Sequence, residues 1–296
     1  MTRRTAEAPI CWGIFREVEH SPRREADDAG ILRATGSRLQ EKGFAVAYST
    51  PASLTGRERE LPTLAFSMCE GLPALESLLR WESRGVCVVN GARSVLDTHR
   101  EKTIPLLENR RIPVPESRIL DCDGPLPRGR AEEGLFSACW IKQATGHKTR
   151  EGDVLFAADP ASVRGALDRL RNRGLSRAVV QRHIEGDLVK FYGVAGEALS
   201  GEQEPPTSWF EWFYPKEHPA AGHPFKTQRL CEIASRAAQT VGLEIWGGDA
   251  VVTPGGEIFL IDINAWPSFA LFREVAADRI AARLVARVGR LMRVAV

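Results

Sequence analysis

The chain has 296 residues, 43% of them apolar and 26% charged, with a formal net charge of +2, the make-up of a soluble globular protein large enough for two or three lobes. A charge this balanced gives no global pull toward nucleic acid or membrane, so any anionic ligand must be held by a local cluster. Six cysteines (Cys11, Cys69, Cys87, Cys122, Cys139, Cys231) show no C-x-x-C spacing, which speaks against a zinc ribbon or disulfide framework and for reduced thiols. No run approaches 18 apolar residues and the N-terminus has no apolar signal core, so the expected setting is the cytoplasm.

In chain order, "ICWGIF" (10–15) reads as a strand, and "ADDAGILRATGSRLQEKG" as a helix closed by Gly43. Strands follow at 44–49, 63–68 and 86–91, with a helix over "LPALESLLRWESRG". Alternation of this kind, with short connections, implies a parallel sheet with helices on its faces. Neither G-x-G-x-x-G nor G-x-x-x-x-G-K-[ST] occurs, which excludes the standard Rossmann and P-loop signatures. A helix spans 97–110, and the prolines of "IPVPES" mark an extended link. "SACWIKQATGHKTREGDVLFA" reads as two strands around a polar loop. Asp159 and Pro160 open a helix that ends at Gly174. "AVVQRHIEGDLVKFYGVAGEAL" alternates as strands, "FKTQRLCEIASRAAQTVG" carries a helical apolar face, and a last helix covers 274–292. The aromatic stretch 208–225 reads as core or lid packing, because no basic stripe beside it suits nucleic acid.

The chemistry concentrates in "GGDAVVTPGGEIFLIDINAWPSF". Thr253 to Gly256 break two apolar strands as a hairpin. With a loop of Pro254 to Glu257, Thr253 faces Ile258, Val251 faces Leu260 and Asp249 faces Asp262, while Asn264 shares the face of Asp262. Two close carboxylates in an apolar setting repel unless a cation lies between them. Carboxylate and amide oxygens suit Mg²⁺, whose remaining ligands are phosphate oxygens and water. The alternative is a strand end with both aspartates in water. Lys142 closes an apolar strand. Taken singly, Lys102, Lys142 and Lys190 are what any surface offers.

In this order the motifs resemble the ATP-grasp superfamily. "THREKTIPLLENRRIPVPES" is similar to its Arg-x-Lys helix, "WIK" to its phosphate-binding lysine strand and "VVQRHIEGD" to its adenine hinge. "GGDAVV" and "LIDINAWPS" are similar to its two magnesium strands. The resemblance implies α/β and α+β architecture: an N-terminal α/β pre-ATP-grasp domain (1–95), a central lobe (96–177) and a C-terminal lobe (178–296). It implies ATP and Mg²⁺ as cofactors. Arg100, Lys102 and Lys142 would meet phosphate, Gln181 with Arg182, His183 and Ile184 adenine, and Asp187 the ribose. Asp249, Asp262 and Asn264 would hold metal, and the loop 143–152 would close over the phosphates.

"DINAWP" most resembles the inositol trisphosphate 5/6-kinase branch. That branch implies transfer of the γ-phosphate to a hydroxyl of an inositol-like small molecule, with His147 and Lys190 in catalysis and these two with Ser268 at the acceptor. The alternative is a carboxylate–amine ligase working through an acyl phosphate. Ligases of this kind use an arginine in the C-terminal lobe; "GEALSGEQEPPTSWF" offers none, Arg229 on the next helix is the nearest candidate, and with "DINAWP" this absence favours the kinase. A non-catalytic ATP-binding module is a third reading, disfavoured because buried carboxylates are costly without a metal.

Overall fold

The structure, a computed structural model, describes residues 8–56, 60–129, 134–146, 152–196 and 207–294. Strands β1 (Ile10–Ile14), β2 (Ala45–Ser49), β3 (Leu64–Ser67) and β4 (Cys87–Val89) form a sheet in the order β2-β1-β3-β4, parallel throughout. Helices α1 (Glu25–Glu41) and α2 (Leu72–Glu82) make the crossovers from β1 to β2 and from β3 to β4. Every residue of β3 and β4 is buried, as expected for strands covered on both faces. Short α3 (Ala92–Leu96) and then α4 (Arg100–Asn109) follow. The helix expected from Asp97 begins three residues later, because the Thr103 hydroxyl donates to the Asp97 and His99 carbonyls and closes the entering turn.

The central lobe is an antiparallel sheet, order β5-β8-β6-β7, of β5 (Ser117–Asp121), β6 (Cys139–Gln143), β7 (Val154–Ala157) and β8 (Arg177–Arg182). Helix α5 (Pro160–Asn172) covers one face. Asp159 caps it, accepting from the Ser162 N–H at 2.8 Å. Val163, Leu167 and Leu170 pack on Cys139, Ile141, Ala178 and Val180. Period-two geometry therefore turns Trp140, Lys142, Val179 and Gln181 to the other face. Since β8 lies inside this sheet, the lobe runs through Arg182, beyond the boundary expected at 177.

The C-terminal lobe is a second antiparallel sheet, order β10-β9-β11-β12, of β9 (Asp187–Ala195), β10 (Thr207–Phe213), β11 (Ile245–Val252) and β12 (Ile258–Ala265). Helix α6 (Thr227–Val241) covers one face through Leu230, Ile233 and Ala237, and ends at Gly242 in the left-handed region, φ 76°. Helix α7 (Arg273–Val294) joins Tyr192, Val194 and Ile245 in the core on the other face. The aromatic stretch supplies β10, which sequence reasoning did not read as a strand. Its alternation is masked because both faces are covered by aromatic partners: Trp209 and Phe213 meet Phe272, whereas Phe210 meets Phe191 and Trp246. Two large cores each draw on both the N-terminal and C-terminal lobes. The main core of the central lobe lies wholly within residues 122–180. Among the described residues, no helix is long and apolar enough to cross a membrane.

Candidate active site

Strands β11 and β12 do pair Asp249 with Asp262 and Gly247 with Asn264. The route differs from the expected register. From the turn, Val252 pairs with Ile258, Val251 with Phe259 and Ala250 with Leu260, one residue off the expectation. A bulge at Ile261 then absorbs the offset. It lets Leu260 and Ile263, three apart, both join the α6 side of the core while Asp262 and Asn264 turn to the cleft. Gly248 is required where the strands crowd at the bulge. A Cβ built there would lie 2.2 Å from the Asp262 carbonyl oxygen.

Three cations converge on the two carboxylates. Arg100, at the start of α4, grips Asp262 with two prongs, Nε to Oδ1 at 2.9 Å and a terminal nitrogen to Oδ2 at 3.0 Å. Its other terminal nitrogen donates to the carbonyls of Gln143 (3.3 Å) and Gly146 (3.2 Å), at the mouth of the expected lid. Lys142 reaches from β6 to Gln181 Oε1 at 2.8 Å and stands 3.6 Å from Asp262 Oδ2. Lys190 on β9 donates to Asp249 Oδ1 at 2.7 Å. Burial pulls the Lys142 ammonium below the usual lysine range, with Asp262 pulling partly back. For Arg100 burial is the largest single influence and acts downward, but Asp262, together with Asp249 and Asp153, holds the guanidinium above its ordinary value. The carboxylates are thus neutralised by the protein itself. Their burial alone no longer argues for a metal, and the argument against a non-catalytic module loses that support.

The remaining sequence-predicted residues divide. Gln181 is buried between Lys142 and the Ser117 hydroxyl, facing the cleft. The backbone N–H of Arg182 is spent on the Glu116 carbonyl and that of His183 on Ala138, so these two donors are not offered to a base. The Arg182 side chain pairs with Glu116, and His183 Nδ1 accepts from the Trp140 indole at 3.0 Å. Ile184 follows in the link to β9. Lys102 turns away from Arg100 to Asp97, 3.8 Å off, and does not join the cluster. Ser268 is buried and bonded to the Tyr192 phenol, just past β12. His147, with Lys148 and Arg150, lies outside the described residues. Arg229 sits on α6, on the far face of the sheet, paired with Glu232 at 3.3 Å. It is no acyl-phosphate partner.

Asp187 has a different employment from the expected ribose contact. Its carboxylate accepts three consecutive backbone N–H groups, of Ala221 (2.6 Å), Gly222 (2.8 Å) and His223 (2.7 Å), and so pins the long β10–α6 connection to the start of β9. Burial raises the carboxyl's pKa, yet the three bonds outweigh it and the net shift is downward. A lowered carboxyl contributes stability that is present above its unfolded value and lost as pH falls through the folded one. Asp187→Asn is therefore expected to lower stability by about 2 kcal/mol at pH 7. The gap from wild type should start to narrow as pH falls past about 4 and close only as pH falls through the lower folded value. Urea unfolding at pH 7 and at about pH 2 checks this, and a gap equally wide at both would refute it.

A further polar cluster went unread in the sequence. Arg16, just past β1, meets Asp28 at 3.1 Å, Glu70 past β3, and the Trp266 carbonyl at 2.5 Å. It ties the carboxyl ends of the parallel strands to the segment that follows Asn264. A charged residue at the end of an apolar parallel strand is the signal that could have found it, because ligands of open α/β sheets lie beyond those ends.

The donor set suits magnesium and a polyphosphate. Asp249, Asp262 and Asn264 offer only hard oxygen donors, and Arg100, Lys142 and Lys190 are the cations phosphate selects. Among the described residues, no group of three His, Cys, Asp or Glu side chains is placed to hold a metal ion.

Two lobes closing on such a cleft define an ATP-grasp fold, and comparison with solved structures bears this out. D-alanine–D-alanine ligase from Bacillus anthracis, complexed with ATP, superposes with a TM-score of 0.70 at 12% identity, covering 96% of this chain and 98% of that one. A RimK-domain ATP-grasp protein from Sphaerobacter thermophilus gives 0.66 at 18% identity over 94% and 100%. The ATP-grasp ligase PsnB, bound to its precursor peptide and AMPPNP, gives 0.61 at 17% over 97% and 99%. No protein-family model matches the sequence, and no curated protein sequence matches it. The chain has the ATP-grasp fold along nearly its whole length.

Proposed function

We propose that the protein is a Mg-ATP-dependent ligase that joins a carboxylate to an amine through an acyl phosphate. The observation that carries this reading is the placement of Arg100, Lys142 and Lys190 around Asp249 and Asp262, in a chain that matches ATP-grasp ligases from end to end. The neighbours named above include ligases and no inositol kinase, so they support the sequence's alternative reading better than its first, hydroxyl-directed one.

In the first step a carboxylate oxygen bonds to the γ-phosphorus, the bond to the bridging oxygen breaks, and ADP leaves with that electron pair. In the second the amine attacks the acyl carbon, and inorganic phosphate leaves with the electrons of the C–O bond. The amine's proton passes to solvent. Magnesium, when bound, neutralises phosphate charge and orients the transferred group. Lys142 and Arg100 would hold the phosphate chain from the central side, and Lys190 the transferring group from the floor. Gln181 orients Lys142. The Arg16 cluster, at the carboxyl ends of the parallel strands, holds through the Trp266 carbonyl the segment that carries Ser268.

Phosphorus NMR with Mg-ATP and two substrate pools tests the reading. Release of ADP and phosphate that requires both a carboxylate and an amine is the expected result. A new phosphomonoester in a pool of inositols and other polyols would replace the ligase by a kinase. ATP binding without turnover in either pool would leave a binding module.

A further inference from the structure

Each cation of the cleft already has a partner: Arg100 is two-pronged on Asp262, Lys142 lies between Gln181 and Asp262, and Lys190 is on Asp249. Among the described residues, three cations face these two carboxylates and leave no negative excess for a divalent ion to relieve. A lone Mg²⁺ would have to displace Lys190 from 2.7 Å and meet the charge of Arg100 and Lys142 behind it. Its reward would be two carboxylates and one amide oxygen, a poor exchange for an ion that sheds water reluctantly. A nucleotide changes both sides at once. Its phosphate oxygens are strong partners for Arg and Lys, and they add the ligands the protein lacks.

We propose that the metal site is nucleotide-gated: Lys190 and Arg100 occupy the carboxylates until phosphate oxygens draw them away, so that Mg²⁺ enters with the nucleotide and not before it. This rests on the nucleotide-binding reading above and adds the order of assembly and the residues that impose it. Lys190 is the sharper gate. Its side chain is 36% exposed and, among the described residues, its ammonium pairs with one carboxylate, whereas Arg100 also donates to the Gln143 and Gly146 carbonyls.

Mn²⁺ serves as the probe, followed by water-proton relaxation enhancement with and without AMPPNP. Wild-type protein should take up no Mn²⁺ alone up to about 1 mM and should take it up when AMPPNP is present. Lys190→Met, and Lys190→Gln as a second variant, should bind nucleotide-free Mn²⁺ at least ~10-fold more tightly than wild type. Adding Asp249→Asn to either should abolish that gain. Nucleotide-free uptake by wild type as tight as in the ternary complex, or no gain in either variant, would overturn the gate and leave the ligase reading standing. No uptake even with AMPPNP would overturn both.

Discussion

Replacing Asp262 with Asn should cut ligase turnover by about 10²–10³-fold and leave a folded protein. Asp262 lies on β12 opposite Asp249, and the two strands otherwise offer one carboxylate and one amide, so on the proposed reading its loss removes a principal anionic ligand for magnesium. It also frees Arg100 from its two-pronged partner. The fold survives because Asn keeps one oxygen for Arg100, which retains the Gln143 and Gly146 carbonyls. A stability loss of about 1–3 kcal/mol is expected from the weakened pair. Coupled ADP release and urea unfolding measure the two effects separately. Activity within a few-fold of wild type at saturating Mg²⁺ would remove Asp262 from the site.

Lys142→Ala should act on the nucleotide and not on the fold. The ammonium is nearly enclosed, with its side chain 5% exposed, and its burial is a cost that the distant Asp262 only partly offsets. Removing it leaves Asp262 with Arg100 and Gln181 with Ser117. Thermal stability should therefore hold or rise, while ATP affinity by calorimetry falls about 10²-fold for one lost charge-assisted phosphate contact. Unchanged ATP affinity would mean that the phosphates lie elsewhere. A collapse of stability would mean that Lys142 is a structural ion.

The parallel sheet, the capped α5 and the helical faces of α6 and α7 were legible in the sequence because each rests on local periodicity and end signals. So was the pairing of Asp249 with Asp262. It came out right although the turn was read one residue out, since a bulge is set by packing on both faces and its one local mark, Gly248, went unread. Partner choice was not legible. That Arg100 would take Asp262, 162 positions away, depends on the lobes closing on each other. That Asp187 would be spent on the 221–223 backbone depends on the path of a long connection rich in proline and glycine. Lys102 and Lys142 look alike in sequence, and only burial separates them. The expected arginine of the C-terminal lobe has no counterpart at Arg229. What the structure offers beside Asp249 is instead Lys190.

The separate core of the central lobe sets how the cleft responds to its surroundings. The lobe meets the rest of the chain here through polar links: Lys142 to Asp262, Arg100 to the 143 and 146 carbonyls, Arg177 to Glu101. A small apolar trio of Ile104, Ala144 and Val179 joins them. Swinging it open would rupture charged contacts and expose little hydrocarbon, whereas parting the other two lobes would tear through shared cores. Opening should thus carry a small heat-capacity change. The jaw is an electrostatic clasp on a greased but rigid frame.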